Sequence, residues 1–375
     1  MSALLTLSTA FLCAFFALAV LERLAPHLGL IDHPSGHKSH TAPTPVVGGI
    51  GMVLVLFGFA PSLIAEGSSA WAGAASEALD GEKAPWLFGG IAASAVLGLI
   101  DDRHPLGAKS KLCAMLVIFA VTLWGSGTVL LSLGELLPGV GIALGQLALP
   151  FTLFAAIGVI NAFNLIDGMD GLAGSVALCA LCGQLLVASL VGAVAWIPFL
   201  LVMIAAVGAF LLFNLPLPRR SRARMFMGDA GSLAVGLILL WLAVDLSQAP
   251  AGVAPMVMVW LLALPMLDTV ATMLLRIREG KSIFEPGHDH FHHLLRAQGM
   301  RVGHIVLTAT LLSLGSGAAG IGMWLAGVPD WVSLAAFLIV TLAYVRLHLR
   351  AWSRLGRGGR NAASVKLRPR HSSGR

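Results

Sequence analysis

Eleven apolar stretches of about twenty residues each, strung along a chain of 375, leave this sequence few folds to choose from. A bilayer core is crossed by roughly 20 residues of α-helix, and only helices or closed barrels can satisfy their own backbone hydrogen bonds there. The stretches cover residues 3–22, 46–65, 86–101, 111–131, 145–162, 172–192, 194–215, 232–247, 253–275, 304–327 and 330–349, of which the third and eighth are short for a crossing. Composition points the same way: 57% hydrophobic and 11% charged residues, with a mean hydropathy of +0.88, belong to a polytopic membrane protein and not to a soluble domain. We expect an all-α integral membrane protein of about 11 transmembrane helices. The first stretch lacks a basic leading segment and a small-residue cleavage site, so it reads as a span and not as a removable signal.

Charge orients the bundle. With the N-terminus outside, the loops after the odd-numbered spans and the C-terminal tail carry every Lys and Arg except Lys83, a strong positive-inside signal. The net charge of +6 therefore reflects topology and attraction to anionic lipid, and gives no reason to expect nucleic-acid binding. Residues 1–349 read as one membrane domain with cytoplasmic loops at 23–45, 101–111, 161–172, 216–232 and 276–303. Residues 350–375 read as a basic, disordered cytoplasmic tail. All four cysteines, Cys13, Cys113, Cys179 and Cys182, lie in apolar runs, where packing is a better account than disulfides or metal binding.

The unusual polar residues fall on the inner side. Asp32–Gly49 reads DHPSGHKSHTAPTPVVGG, in which Lys38 and His40 are phosphate-type donors, although a lysine there is equally expected from topology. Asp101 and Asp102 end the third run, with Lys109 downstream. Two acids at a positive-inside boundary suggest metal ligation or base chemistry beside a phosphate-binding cation. In NAFNLIDGMDGLAG, from Asn161, the residues Asn164, Asp167 and Asp170 are three apart and would share a helical face. Gly228-Asp229-Ala230-Gly231-Ser232 opens the eighth run, where free helix amides suit phosphate and Asp229 either caps the helix or holds a metal. His288, Asp289, His290, His292 and His293 crowd into six positions. They suit a transition metal or a diphosphate, and the lack of thiolates favours phosphate. Hard oxygen ligands beside phosphate-type cations suggest Mg²⁺-dependent nucleotide-diphosphate chemistry at a membrane surface. A cation-coupled transporter is the alternative from another class, but its polar groups should cluster at mid-span.

Taken in order, DHPSGHKSH with PVVGG, the paired aspartates, NAFNLIDGMDGLAG, FMGDAGS, LPMLDTVATMLLRIREGKSIFEPG and HFHHLL resemble the polyprenyl-phosphate N-acetylhexosamine-1-phosphate transferases. The branch most similar is the bacterial undecaprenyl-phosphate N-acetylglucosaminyl-1-phosphate transferases. HFHHLL differs from the three consecutive histidines followed by Phe-Glu of the related phospho-N-acetylmuramoyl-pentapeptide transferases. The resemblance implies a multi-pass protein of the cell inner membrane with a cytoplasm-facing site. It implies transfer of N-acetylglucosamine 1-phosphate, or a neighbouring UDP-hexosamine's sugar phosphate, to undecaprenyl phosphate. UMP would be released, and the product would begin a cell-envelope polysaccharide such as a lipopolysaccharide O-antigen. The implied cofactor is Mg²⁺, with Mn²⁺ as a substitute; a homodimer stays open. By the same resemblance Asp229 is the main metal ligand with Asn164 beside it, and Asp101 and Asp102 serve the lipid phosphate with Lys109. Asn164, Asp167 and Asp170 line the nucleotide pocket, Phe226 stacks on uracil, and Lys38, His40, Arg276, His290, His292 and His293 bind substrate.

Overall fold

Hydrocarbon-length runs fold as helices because each backbone group then finds its partner within its own segment. The computed structural model describes residues 3–34, 42–69, 82–216, 222–249, 252–283 and 287–366, without the side chains of 65–69 and 357–366. The helices are α1 (Ala3–Leu24), α2 (Gly48–Ser69), α3 (Lys83–Arg103), α4 (Ala108–Ser126), α5 (Ala148–Ile166), α6 (Leu172–Leu190) and α7 (Trp196–Asn214). They continue with α8 (Gly228–Gln248), α9 (Pro255–Leu261), α10 (Ala263–Arg278), α11 (Phe291–Ala297), α12 (Val302–Leu325) and α13 (Asp330–Lys366), the last broken at Gly356. A two-residue ladder, β1 (Ile31–Asp32) with β2 (Thr44–Pro45), closes the loop between α1 and α2.

Every apolar run of the sequence is helical. Among the described residues nine helices are long and apolar enough to cross a bilayer, and the bent pair α9–α10 makes a tenth. The apolar part of α2, Gly48–Ile64, is shorter. The two runs that look short become full spans, because α3 extends through Asp101 and Asp102 and α8 begins at Gly228. Polar residues at a helix end do not count toward an apolar run, yet here they find partners. The ninth run bends by 75° between α9 and α10. Pro265 lies just beyond the break and lacks the N–H that would reach the carbonyl of Leu261.

Burial sorts the helices. α8 is enclosed over nearly its whole length, from Ala230 to Leu246, with α3, α5, α2 and α6 packed around it. Outer helices carry the lipid-type surface: Leu4, Leu12 and Phe16 on α1, Val117 and Trp124 on α4, Leu311 and Leu314 on α12, and Ile339 and Leu342 on α13 are all exposed. At Gly98 a Cβ would lie 2.2 Å from the Asp229 backbone, so α3 presses directly onto the first turn of α8. That contact brings the aspartates of α3 to the start of α8.

The chain does not become a free tail at residue 350. α13 runs on through that point, and Trp352 is 2% exposed against Leu275 and Leu294. An aromatic docked on the protein outweighs the basic composition around it.

Candidate active site

Two sets of polar side chains form at the helix ends gathered on one face of the bundle. The first begins at the N-terminus of α8, where four backbone N–H groups lack helical partners. Met227 and Asp229 do not cap it. Asp102 reaches across from α3 instead: Asp229 N donates to its Oδ1 at 3.0 Å and Ala230 N to its Oδ2 at 3.3 Å. The amides that the sequence offered to phosphate are thereby engaged within the protein, and the Asp229 carboxylate is turned outward to neighbouring helices. Lys111, from the first turn of α4, donates to Asp229 Oδ2 at 2.6 Å, to Asn164 Oδ1 at 3.1 Å and to an Asp101 oxygen at 2.8 Å. Asn164 Nδ2 donates to Asp229 Oδ1 at 2.6 Å and to Ser232 Oγ at 2.8 Å. Asp101 also accepts the amide of Leu106 at 2.6 Å, which closes the turn from α3 into α4.

The cation in this cluster is Lys111; Lys109, two residues earlier, faces outward and is exposed. Distance along the chain from the paired aspartates points to Lys109, but on a helix two residues turn a side chain to another face. Asp167 follows the last residue of α5 and adds a further acid. Burial pushes its carboxyl well above the usual carboxylate range, and Asp229, Asp102 and Asp170 push it the same way. Asp170 is spoken for by structure: its Oδ2 accepts the amide of Ala223 at 2.9 Å. Asn214 braces the same junction, accepting from Gly171 N at 2.7 Å and donating to Met225 O at 2.8 Å. Phe226 is fixed through its backbone, its N–H donating to Pro45 O at 2.8 Å and its carbonyl accepting from Gly48 N at 3.0 Å. Lys38 and His40 lie outside the described residues.

Among the described residues no three His, Cys, Asp or Glu side chains form a ready cage for a metal. The donor set still fits a hard divalent cation. Asp167 is a half-buried acid whose charged neighbours are acids, and Asp229 and Asn164 supply further oxygens beside it. Mg²⁺ typically takes one or two carboxylates and fills its remaining positions with water and substrate phosphate.

The second set centres on the histidines. Asp268, on α10, accepts from His290 Nδ1 at 2.7 Å and from the Phe291 amide at 2.8 Å, so one carboxylate orients the imidazole and caps α11. Arg276, two turns along α10 and 6% exposed, donates to Asp289 Oδ2 at 3.2 Å and to Ile283 O at 3.1 Å. His288 Nδ1 meets His293 Nε2 at 3.3 Å, and the rings of His292 and His293 lie 4.1 Å apart. Burial, followed by the neighbouring imidazoles, pulls His292 well below its ordinary value and His293 down to about 3, so both are neutral. His292 is fully buried with both ring nitrogens unpartnered among the described residues. Its Nε2 would be 2.7 Å from a Cβ at Gly168, so the histidine segment rests on the NLIDGMDG turn and only glycine fits beneath it.

Asn164, Asp167, Asp229 and Lys111 are thus gathered, with Asp101 and Asp102 as their supports, while His290, His292, His293 and Arg276 form a flank joined to them at Gly168. Lys111, Asp268, Ser232 and Asn214 escaped the sequence reading. Asp268 carried a usable signal, an acid inside an apolar run. The acid cluster around Asp229 occupies helix ends, whereas the polar groups of a coupled transporter should cluster at mid-span.

Comparison with known proteins agrees. The family model described as glycosyl transferase family 4 matches residues 84–247. An undecaprenyl-phosphate alpha-N-acetylglucosaminyl 1-phosphate transferase of Yersinia pestis is 31% identical, over 93% of each chain. Proteins of that name from Salmonella typhi and Haemophilus influenzae are each 30% identical, covering 94% and 93% of this chain and 92% and 95% of their own. With the matched segment running from α3 to α8 and such relatives aligned along almost the whole length, the chain belongs to glycosyl transferase family 4.

Proposed function

We propose that the protein transfers N-acetylglucosamine 1-phosphate from UDP-N-acetylglucosamine to undecaprenyl phosphate. The products are UMP and the first lipid-linked intermediate of a cell-envelope polysaccharide. The reading is carried by the acid cluster around Asp229, set beside a histidine and arginine flank at one end of the bundle. Full-length relatives that bear this activity in their names support the choice of sugar and lipid.

In the reaction a lipid phosphate oxygen attacks the sugar-bearing phosphorus, the new P–O bond forms, and the bond to the bridging oxygen breaks with its electron pair leaving on UMP. A phosphate monoester has a second pKa of about 6, so most of the nucleophile is already dianionic at neutral pH and needs no strong base. Asp102 is accordingly a positioning group, holding the start of α8 so that Asp229 faces Lys111 and Asn164. Asp229, Asp167 and Asn164 would hold Mg²⁺, which when bound neutralises charge on the diphosphate. Lys111 balances part of the acid cluster and lies within reach of an incoming phosphate. Arg276, His290 and His293 face the donor diphosphate as hydrogen-bond donors, and Phe226 stacks on the uracil. The positive-inside charge pattern supports a site that faces the cytoplasm at the inner membrane.

Release of UMP by the full-length protein is the test, measured with undecaprenyl phosphate, Mg²⁺ and a panel of UDP-hexosamines. Turnover should require both the lipid and the metal and be fastest with UDP-N-acetylglucosamine. Folded protein that releases no UMP from any donor would sink the proposal.

A further inference from the structure

Tyr344, His348 and Trp352 recur every four residues along α13 and therefore share one face. Tyr344 is the chain's single tyrosine. The His348 ring lies 6.1 Å from that of Tyr344, nearly parallel at 21°, and 6.4 Å from that of Trp352. His348 is 4% exposed and Trp352 2%. Both ends of this strip make polar contacts with the histidine flank. Tyr344 OH donates to Asp268 Oδ1 at 3.2 Å, and Trp352 Nε1 donates to the carbonyl of Asp289 at 3.0 Å. These are the two acids that organise the flank, since Asp268 holds His290 and Asp289 holds Arg276.

Elsewhere on α13 Leu338, Ile339, Leu342 and Leu347 are exposed, as a lipid-facing surface would be. A half-buried phenol and a buried indole are costly in such a helix unless their polar atoms find partners. Here the partners are site residues. Asp268 uses Oδ2 for His290 and shares Oδ1 between Phe291 N at 2.8 Å and Tyr344 OH at 3.2 Å, so among the described residues the tyrosine is the one side chain that steadies this carboxylate from the oxygen opposite His290. The other polar neighbour of His290 Nδ1, Thr272 Oγ1, is 3.4 Å away and could not fix the ring alone.

We infer that Tyr344 is a positioning residue that acts through Asp268 to keep His290 Nδ1 bound inward and its Nε2 free for substrate. The Tyr344–His348–Trp352 strip thereby makes the last helix a working part of the site. The inference rests on the transfer reaction proposed above for its kinetic consequence, but its structural content is independent of that reaction.

The test uses full-length Tyr344→Phe, which keeps the ring and deletes one hydroxyl. Its kcat for UMP release should fall roughly tenfold while KM for UDP-N-acetylglucosamine stays within about twofold and Tm is unchanged. ¹⁵N-histidine NMR of the protein alone, with His290 assigned by loss of its signals in His290→Gln, should show the His290 ring resonances displaced. Trp352→Phe, which removes the bond to Asp289, should lower kcat without displacing them. Wild-type kcat together with unmoved His290 resonances in Tyr344→Phe would overturn the inference. If the wild type itself releases no UMP from any donor, the proposed reaction fails and the NMR arm alone decides the positioning role.

Discussion

The acid cluster and the histidine flank are built by one device and end in opposite electrostatic states. In each, a carboxylate on one helix accepts the free amides at the start of another: Asp102 from α3 caps α8, and Asp268 from α10 caps α11. Around Asp268 the charges are then matched, with Arg276 on Asp289 and Tyr344 and His290 on Asp268 itself. Around Asp229 they are not, because Lys111 serves Asp101 and Asp229 while Asp167 is left among acids. A matched buried network is rigid and needs nothing further. An unmatched one stores demand for a cation, so the same architectural step yields a platform on one side and a receptor for positive charge on the other.

Asp229→Asn should break this contrast most completely. The amide keeps the volume and preserves the hydrogen bond to Lys111, but it takes away the negative charge that faces both Lys111 and Asn164. UMP release should fall by at least about 10³-fold with little change in Tm. Retained turnover would remove Asp229 from the metal site. Lys111→Met and Lys109→Met sharpen the same side. The first should cost on the order of 10²-fold in turnover, and the second almost nothing, because Lys109 is exposed at the start of α4.

On the matched side Asp268→Asn is the corresponding experiment. An asparagine offers Phe291 and His290 only one acceptor oxygen, and its NH₂ opposes the donor at His290 Nδ1. The imidazole must turn or change tautomer, and kcat should fall about 10²-fold. Activity equal to wild type would mean that His290 does not work through its Nε2.

What the sequence revealed of these two regions depended on whether the signal was local. A helix formed in each of the eleven apolar runs, since a helix satisfies itself and its length is set by the bilayer, but nine are span-length, α9 and α10 share one bent run, and run length gave no sign of the short α11. Asp102 and Asp229 were visible as acids in an apolar chain, but their pairing, a bond between residues on α3 and α8, left no trace in spacing. Lys111 was passed over for Lys109 because linear distance ignores helical phase. Tyr344 and Trp352 were hidden for another reason. The basic run after residue 350 suggested a free tail, whereas two aromatic anchors, the half-buried Tyr344 and the buried Trp352, keep α13 on the protein. The bend at Leu262, which aims Asp268 and Arg276 at the histidines, follows from Pro265 and was readable, yet the apolar run around it looked continuous.

The smallest effect separates the two regions by pH alone. Asp167 has its carboxyl raised in the folded protein relative to the usual 3.8, so the folded state binds a proton that the unfolded chain has already lost. Stability from this group is present at low pH and disappears as pH rises through the raised value. His293 is the reverse, lowered from 6.5 to about 3, so its contribution is present above 6.5 and is lost progressively as pH falls toward 3. Hydrogen exchange in metal-free protein should accordingly loosen residues 161–172 and tighten 287–300 as pH is raised from 5 to 8, with rate changes of a few-fold. Added Mg²⁺ should cancel the first change and spare the second, because a cation at Asp167 replaces the proton and releases it to solvent. Asp167→Asn should abolish both the proton release and the magnesium effect on 161–172. If Mg²⁺ instead protected the histidine segment and left the aspartate turn unaltered, the division into receptor and platform would have to be reversed.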